Sequence, residues 1–294
     1  MNSRIEKPLL AATLAATCAM GAVESQAAGT ITFGEDQYVS VGFGTIGTFT
    51  STEDGSNSGT ERGNNFSLYS SRLYVSGSLN KYIKGMFNTE ISGDFGEAGA
   101  AAPSSDIEMI DAAGIFSLTP EVAIWAGRFL SPSSRANMAG PYYTSGIGYW
   151  QYIAARYGWN GGTIGRDDGV ALVTNSFDDR LSISFGAFEG ARIFRLSGVP
   201  AVTNNPAQSD SLMYAGRIQY AFWDKEPGYY GTGNYLGSKD IFTIGVAGRY
   251  KADGAASATQ VGDYSQIAVD LLIEKKFEPG AISLEGAYYN YDTD

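Results

Sequence analysis

Residues 267 to 274 read Ile267-Ala268-Val269-Asp270-Leu271-Leu272-Ile273-Glu274, and this stretch decides the fold. Ile267, Val269, Leu271 and Ile273 alternate with Ala268, Asp270, Leu272 and Glu274. Side chains along a strand point to opposite faces with a period of two, so one face is apolar and the other carries carboxylates. Residues 72 to 79 repeat the pattern: Leu73, Val75, Gly77 and Leu79 alternate with Arg72, Tyr74, Ser76 and Ser78. One face suits oil and the other suits water. The reading is all-β, a transmembrane antiparallel up-and-down β-barrel with a wet interior.

Working outward, alternation and turn residues predict about eleven strands. They fall near 37 to 50, 65 to 79, 83 to 94, 106 to 118, 121 to 130, 168 to 177, 180 to 189, 211 to 223, 240 to 251, 264 to 276 and 281 to 291. Short connections at 80 to 82, 119 to 120, 178 to 179 and 278 to 280 alternate with long ones at 51 to 64, 95 to 105, 131 to 167, 190 to 210 and 252 to 263. That order places every long loop at one end, as in a bacterial outer-membrane meander; a soluble sandwich does not require it. Asp224 to Lys239 is the exception, a long connection where a short one is due, read as an elaborated periplasmic turn. An up-and-down bacterial barrel has an even strand number and usually ends on an aromatic residue. The odd count and the final Tyr291-Asp292-Thr293-Asp294 predict further strands beyond residue 294. The alternative is a miscounted twelve-stranded barrel with an unusual terminus.

Arg4 and Lys7 precede the apolar run Leu9 to Val23, and small residues at Ser25 and Ala27 suit cleavage, so residues 1–27 are expected to be an export signal and 28–294 the barrel domain. The run is shorter than the ~20 residues of a spanning helix. The sole cysteine, Cys18, lies in this leader, so no disulfide or cysteine metal site is expected afterwards. The 38 Gly, 19 Tyr and 15 Phe among 294 residues suit tight turns, strands and aromatic girdles. The net charge of -11 disfavours nucleic acid as a partner.

Projecting the alternation inward places Arg72, Lys84, Asn88, Glu90, Asp111, Arg128, Arg217, Gln219, Arg249, Asp270, Glu274 and Glu285 on the pore wall. The physical reason is the penalty of roughly 2–4 kcal/mol for Arg or Lys facing lipid at the bilayer midplane. Avoidance of lipid and pairing of opposite charges explain such positions without any binding role. The pore-lining and constriction set is Arg72, Lys84, Glu90, Asp111, Arg128, Arg135, Arg217 and Arg249. Arg135 belongs to the segment 131–167, which opens with Pro132, carries Asn137 and is dense in Tyr and Trp. A loop of that length is usually functional. It is expected to fold inward after the fifth predicted strand and bring Arg135 near Arg72, Lys84 and Arg128, giving weak anion preference; an external lid or a trimer contact is the other reading.

These blocks resemble a known family. Gly127-Arg128-Phe129-x-x-Pro132-x-x-Arg135-x-Asn137, Gly140-Pro141-Tyr142-Tyr143, Gly165-Arg166-Asp167-Asp168-Gly169-Val170, Gly186-x-Phe188-Glu189-Gly190 and Tyr235-Leu236-Gly237-x-Lys239-Asp240-Ile241 look like the phosphate-selective porin O and P family over residues 66 to 291. The resemblance implies a sixteen-stranded, trimeric outer-membrane porin with a constriction loop. The family's namesakes line the pore with a dense ladder of Arg and Lys, whereas here five basic and five acidic residues share the projected wall. The family name is therefore not read as a substrate, and many members of the family look like general channels.

The expected function is passive diffusion of small hydrophilic solutes or ions through the outer membrane, with lipid around a homotrimer and no cofactor. A barrel enzyme and a structural or adhesive barrel are the alternatives. The chain has no His, which excludes a Ser-His dyad within it. A plugged structural barrel calls for large apolar residues pointing inward, where Ser, Gly, Asn and charge are expected instead. Gly165 to Gly169 lacks the spacing and Lys of a phosphate loop, and Asp167 with Asp168 offers too few oxygens for calcium.

Overall fold

The structure is a computed structural model that describes residues 13–14, 29–91, 107–139, 166–190, 207–256 and 260–292. The described strands are β1 (Thr13–Leu14), β2 (Gly29–Gly34), β3 (Gln37–Thr52), β4 (Gly63–Asn80), β5 (Ile83–Ile91), β6 (Glu108–Ser117), β7 (Val122–Leu130), β8 (Arg166–Ser176), β9 (Leu181–Phe188), β10 (Met213–Ala221), β11 (Ile241–Ala256), β12 (Val261–Phe277) and β13 (Gly280–Asp292). The only described helix is a single turn, α1 (Arg135–Met138). The protein is thus all-β.

From β3 to β13 each strand pairs antiparallel with the next in sequence, the order of a meander. β2 pairs with the free edge of β3, and the two residues of β1 pair with Thr50 and Phe49 farther along the same edge. All eleven expected strands are present, close to the expected bounds. Among the described residues β2 adds a twelfth strand to the meander, where about eleven were expected. Among the described residues no ladder joins β13 to β2 or β3, and the sheet is not closed.

The two faces follow the alternation. Along β12 burial switches residue by residue: Ala268, Asp270, Leu272 and Glu274 are buried, while Ile267 is 55% exposed and Val269 41%. The ladder continues this division across the sheet. Leu73, Ile83, Phe87, Leu172, Phe185, Ile218 and Val246 stand on the exposed face, and Arg72, Ser78, Asn88, Glu90, Arg217 and Arg249 on the buried one. Aromatic rings crowd the exposed face at the short-turn end. Phe222 and Phe242 stack at 4.7 Å, with Tyr220 and Trp223 edge-on to them.

The buried face also holds an apolar cluster that the sequence reading did not expect. Phe129, Phe188, Met138, Met213, Ala171 and Val173 pack together, with Trp125 and Tyr229 against them. Two glycines make room for it. A Cβ on Gly169 would lie 2.4 Å from the Phe188 ring, and one on Gly186 2.8 Å from it, so the ring lies flat over bare backbone of two neighbouring strands. This gives a packing reason for the glycines of the blocks Gly169-Val170 and Gly186-x-Phe188.

Candidate functional site

The buried face is the candidate site, and two connections cover part of it. Residues 131–139 leave β7 at the long-loop end and lie across the inner side of β10 to β13. Arg217 Nη1 donates to Ser133 O at 3.0 Å, Arg249 Nε to Pro132 O at 3.4 Å, and Tyr289 OH to Ser134 Oγ at 3.0 Å. The Asp270 carboxylate accepts the Arg135 N–H at 2.9 Å and so satisfies a donor at the start of the α1 turn. This part of the loop does fold inward. Its aromatic-rich remainder, including Gly140 to Tyr143, Tyr149, Trp150, Tyr152, Tyr157 and Trp159, lies outside the described residues, as do the expected cleavage site at Ala27 and Cys18.

The second connection, residues 222–240 between β10 and β11, starts from the opposite end. It leaves the short-turn end, where an elaborated connection is expected, and its tip lies against the same buried face. Tyr229 stacks on Trp125 at 4.7 Å and its OH donates to Leu130 O at 2.6 Å. Leu236 and Gly237 adopt left-handed backbone, with φ of 52° and 77°. That conformation lets the Tyr235 and Gly237 N–H groups converge on one carboxylate, Glu274, at 2.8 and 2.6 Å; Ser283 Oγ donates to it at 2.7 Å.

The two connections meet at Arg135. Its Nη1 and Nη2 donate to Glu226 Oε1 and Oε2 at 2.9 and 2.7 Å, Nη1 also donates to Thr232 O at 2.6 Å, and Tyr235 OH donates to Glu226 at 2.7 Å. Both charged side chains are almost wholly buried. Burial pushes the Glu226 carboxyl up, but the Arg135 charge and the hydrogen bonds to it outweigh that and hold it below the ordinary glutamate range. Burial likewise pushes Arg135 down, and Glu226, with Asp270 behind it, more than restores it. Removing one partner of such a buried pair typically costs about 3–5 kcal/mol.

The sequence reading places Arg135 beside Arg72, Lys84 and Arg128, whereas its hydrogen bonds run to Glu226, Thr232 and Asp270. A buried cation needs an anion at contact distance, and Glu226 supplies it. Three basic residues of the buried face, Arg72, Arg166 and Arg217, are paired with carboxylates in the same way. Arg72 Nε and Nη2 donate to Glu90 Oε2 at 3.1 and 2.6 Å, directly across the β4–β5 ladder, and Ser70 Oγ donates to the other oxygen. Asp111 accepts from Asn88 Nδ2 at 2.9 Å and from Arg166 on β8, two strands away. Arg217 on β10 reaches over β11 to Asp270 on β12 with bonds of 2.6 and 2.8 Å. Gly245 permits that reach, since a Cβ there would sit 2.2 Å from Arg217 Nη2 and 2.7 Å from Asp270 Oδ1.

Two site residues differ from the rest. Lys84 has inward register, opposite buried Ser78, but it is exposed near the short-turn end. Arg128 is corrected outright: Trp125, Gly127 and Phe129 occupy the inner register of β7, and Arg128 faces the other way. Its bidentate pair with Asp168, at 2.7 Å for both bonds, lies on the outer face. The pair stands near the strand end, which weakens the lipid penalty on which the inward assignment rested. Asp167 turns to the opposite side and accepts the Gly190 N–H at 2.9 Å, so the two aspartates do not converge on one ligand position. Sequence reasoning missed Arg166, Glu226, Tyr229 and Tyr235; the one signal for the last three was the unusual length of their connection.

Comparison with known proteins adds no relative: no family model matches the chain, and neither does any curated protein.

Proposed function

We propose that the chain forms a transmembrane β-barrel of a bacterial outer membrane, exported by a cleaved leader of residues 1–27, that lets small hydrophilic solutes or ions diffuse passively. Kinship with the O and P porins, a homotrimeric assembly in outer-membrane lipid and the absence of catalysis belong to the same proposal. One observation carries it: a continuous meander keeps large apolar side chains exposed along one face while Arg72, Glu90, Asp111, Arg217, Asp270 and Glu274 are buried on the other. A water-soluble sheet would turn those faces round, burying Phe87, Phe185 and Ile267 in a core. The exposed aromatic group at the short-turn end suits a membrane interface. Strands of 9 to 18 residues from β4 to β7 are compatible with the ~9–11 that a tilted spanning strand needs.

The expectation of weak anion preference loses its support, because Arg135 is masked by Glu226 and Arg72, Arg166 and Arg217 each have a carboxylate partner. The passage we infer discriminates by size more than by charge. Swelling of protein-loaded liposomes in sugars of increasing size tests this: small sugars should enter and larger ones be excluded, while entry of none refutes the channel. The Trp125, Phe129, Phe188 and Tyr229 cluster favours a second reading, a structural barrel with its lumen plugged on that side. Intact membrane insertion without any solute entry would favour it.

A further inference from the structure

We infer that a cavity at the short-turn end of the buried face binds a small organic cation of the alkylammonium type. Binding there does not depend on the channel reading above, because it asks only that the cavity be open to solution. The cavity has a volume of about 120 Å³. It is built on the inner register of β7 and β8, where Ala123 and Asn175 stand close to the short turns. Trp125 and Tyr229, stacked at 4.7 Å, give it an aromatic side. The turn between β6 and β7 adds Thr119 and Glu121.

The polar groups here differ from those elsewhere on this face. Glu90, Asp111, Glu226 and Asp270 each contact an arginine. Glu121, by contrast, has no ion-pair partner among the described residues, and no Lys or Arg is among the described residues that line the space. Asn175 is also uncommitted: its backbone N–H donates to Glu121 O at 2.9 Å, but its side-chain Oδ1 has no hydrogen-bond partner. The remaining groups are already engaged. Thr119 Oγ1 accepts the N–H groups of Glu121 and Val122, and Tyr229 OH donates to Leu130 O. A ligand therefore finds a carboxylate, a carboxamide and an aromatic pair. An anion would meet no positive group, and a neutral polyol would leave the Glu121 charge as it is. An alkylammonium ion supplies positive charge and N–H donors for the carboxylate, and both its charge and its alkyl part suit the aromatic rings. Roughly 10–15 Å³ of such space holds one water, so the cavity takes a ligand of several heavy atoms.

The test is a fluorescence titration of the full chain in detergent micelles with ethylammonium chloride, with sodium chloride and glucose as comparison solutes. It is run on the wild type and on a variant with Trp150→Phe, Trp159→Phe and Trp223→Phe, in which Trp125 is the sole indole. Ethylammonium should give a saturable change with the same midpoint in both proteins. Glu121 is exposed, so its replacement leaves packing untouched. Glu121→Gln should raise the apparent dissociation constant about fivefold, the worth of one well-placed exposed ion pair. Glu121→Asp, which keeps the charge, should restore most of the affinity. A change that fails to saturate, an equal affinity in Glu121→Gln, or the same saturable response to sodium or glucose overturns the inference. Because the assay reads binding and not passage, each of these results leaves the channel reading to the liposome experiment.

Discussion

Gly245→Ala isolates the crossing of β11 by the Arg217–Asp270 pair. The new methyl group would stand 2.2 Å from Arg217 Nη2, 2.6 Å from Cζ and 2.7 Å from Asp270 Oδ1, so the guanidinium must leave its bidentate position. Arg217 keeps Gln219 Oε1 and Ser133 O as acceptors, but Asp270 keeps only the Arg135 N–H. Loss of a buried pair costs about 3–5 kcal/mol, and alanine recovers about 0.5–1 kcal/mol over glycine in a strand, which leaves a net destabilisation of about 2–4 kcal/mol. Gly248→Ala is the matched control on the same strand. Its Cβ meets nothing closer than Gln266 O at 3.6 Å, and it should be neutral or slightly stabilising. Urea unfolding in detergent micelles, followed by tryptophan fluorescence, reads both values. Equal midpoints for the two variants would refute the claim that this glycine exists to pass the ion pair.

Other outcomes follow from the same geometry. Glu274→Gln, which weakens the acceptor for the Tyr235 and Gly237 N–H groups and Ser283, should destabilise by about 2 kcal/mol in the same assay. Because the Glu226 carboxyl is held below the ordinary 4.5, its contribution is complete above that pH and is lost as pH falls through the lower folded value. Fluorescence of Trp125, stacked on Tyr229, should therefore show an acid transition below the usual glutamate range that is absent in Glu226→Gln. Leu73→Arg, on the exposed face, should impair insertion into vesicles by about 2–4 kcal/mol, whereas Ser76→Arg on the opposite register of β4 should insert normally.

The wall was legible because strict alternation leaves little freedom: a slip of one residue in β12 would expose Ala268 and Leu272 and bury Ile267 and Ile273 among carboxylates. β2 was not legible. Its six residues are exposed on both sides and pair only with β3, so no burial pattern enforces them. Arg128 illustrates a different failure, since adjacent Arg128 and Phe129 must face opposite ways, and the choice depended on Asp168 across the ladder and on depth along the strand. The Arg135–Glu226 contact joins residues 91 positions apart through two connections without periodicity. Length marked both connections as unusual, but nothing in either stretch says which acid meets which base. Likewise Trp125 and Phe129 share one parity in plain view; that their face is the inner one emerges only when Phe188, Met213 and Tyr229 are brought against them.

The most direct test of the central claim is single-channel recording from the purified protein in a planar lipid bilayer. The two-faced meander predicts discrete, long-lived current steps whose size grows in proportion to potassium chloride concentration, as expected of a water-filled passage. A protein that inserts into the same bilayers with its β-structure intact and passes no current would contradict it.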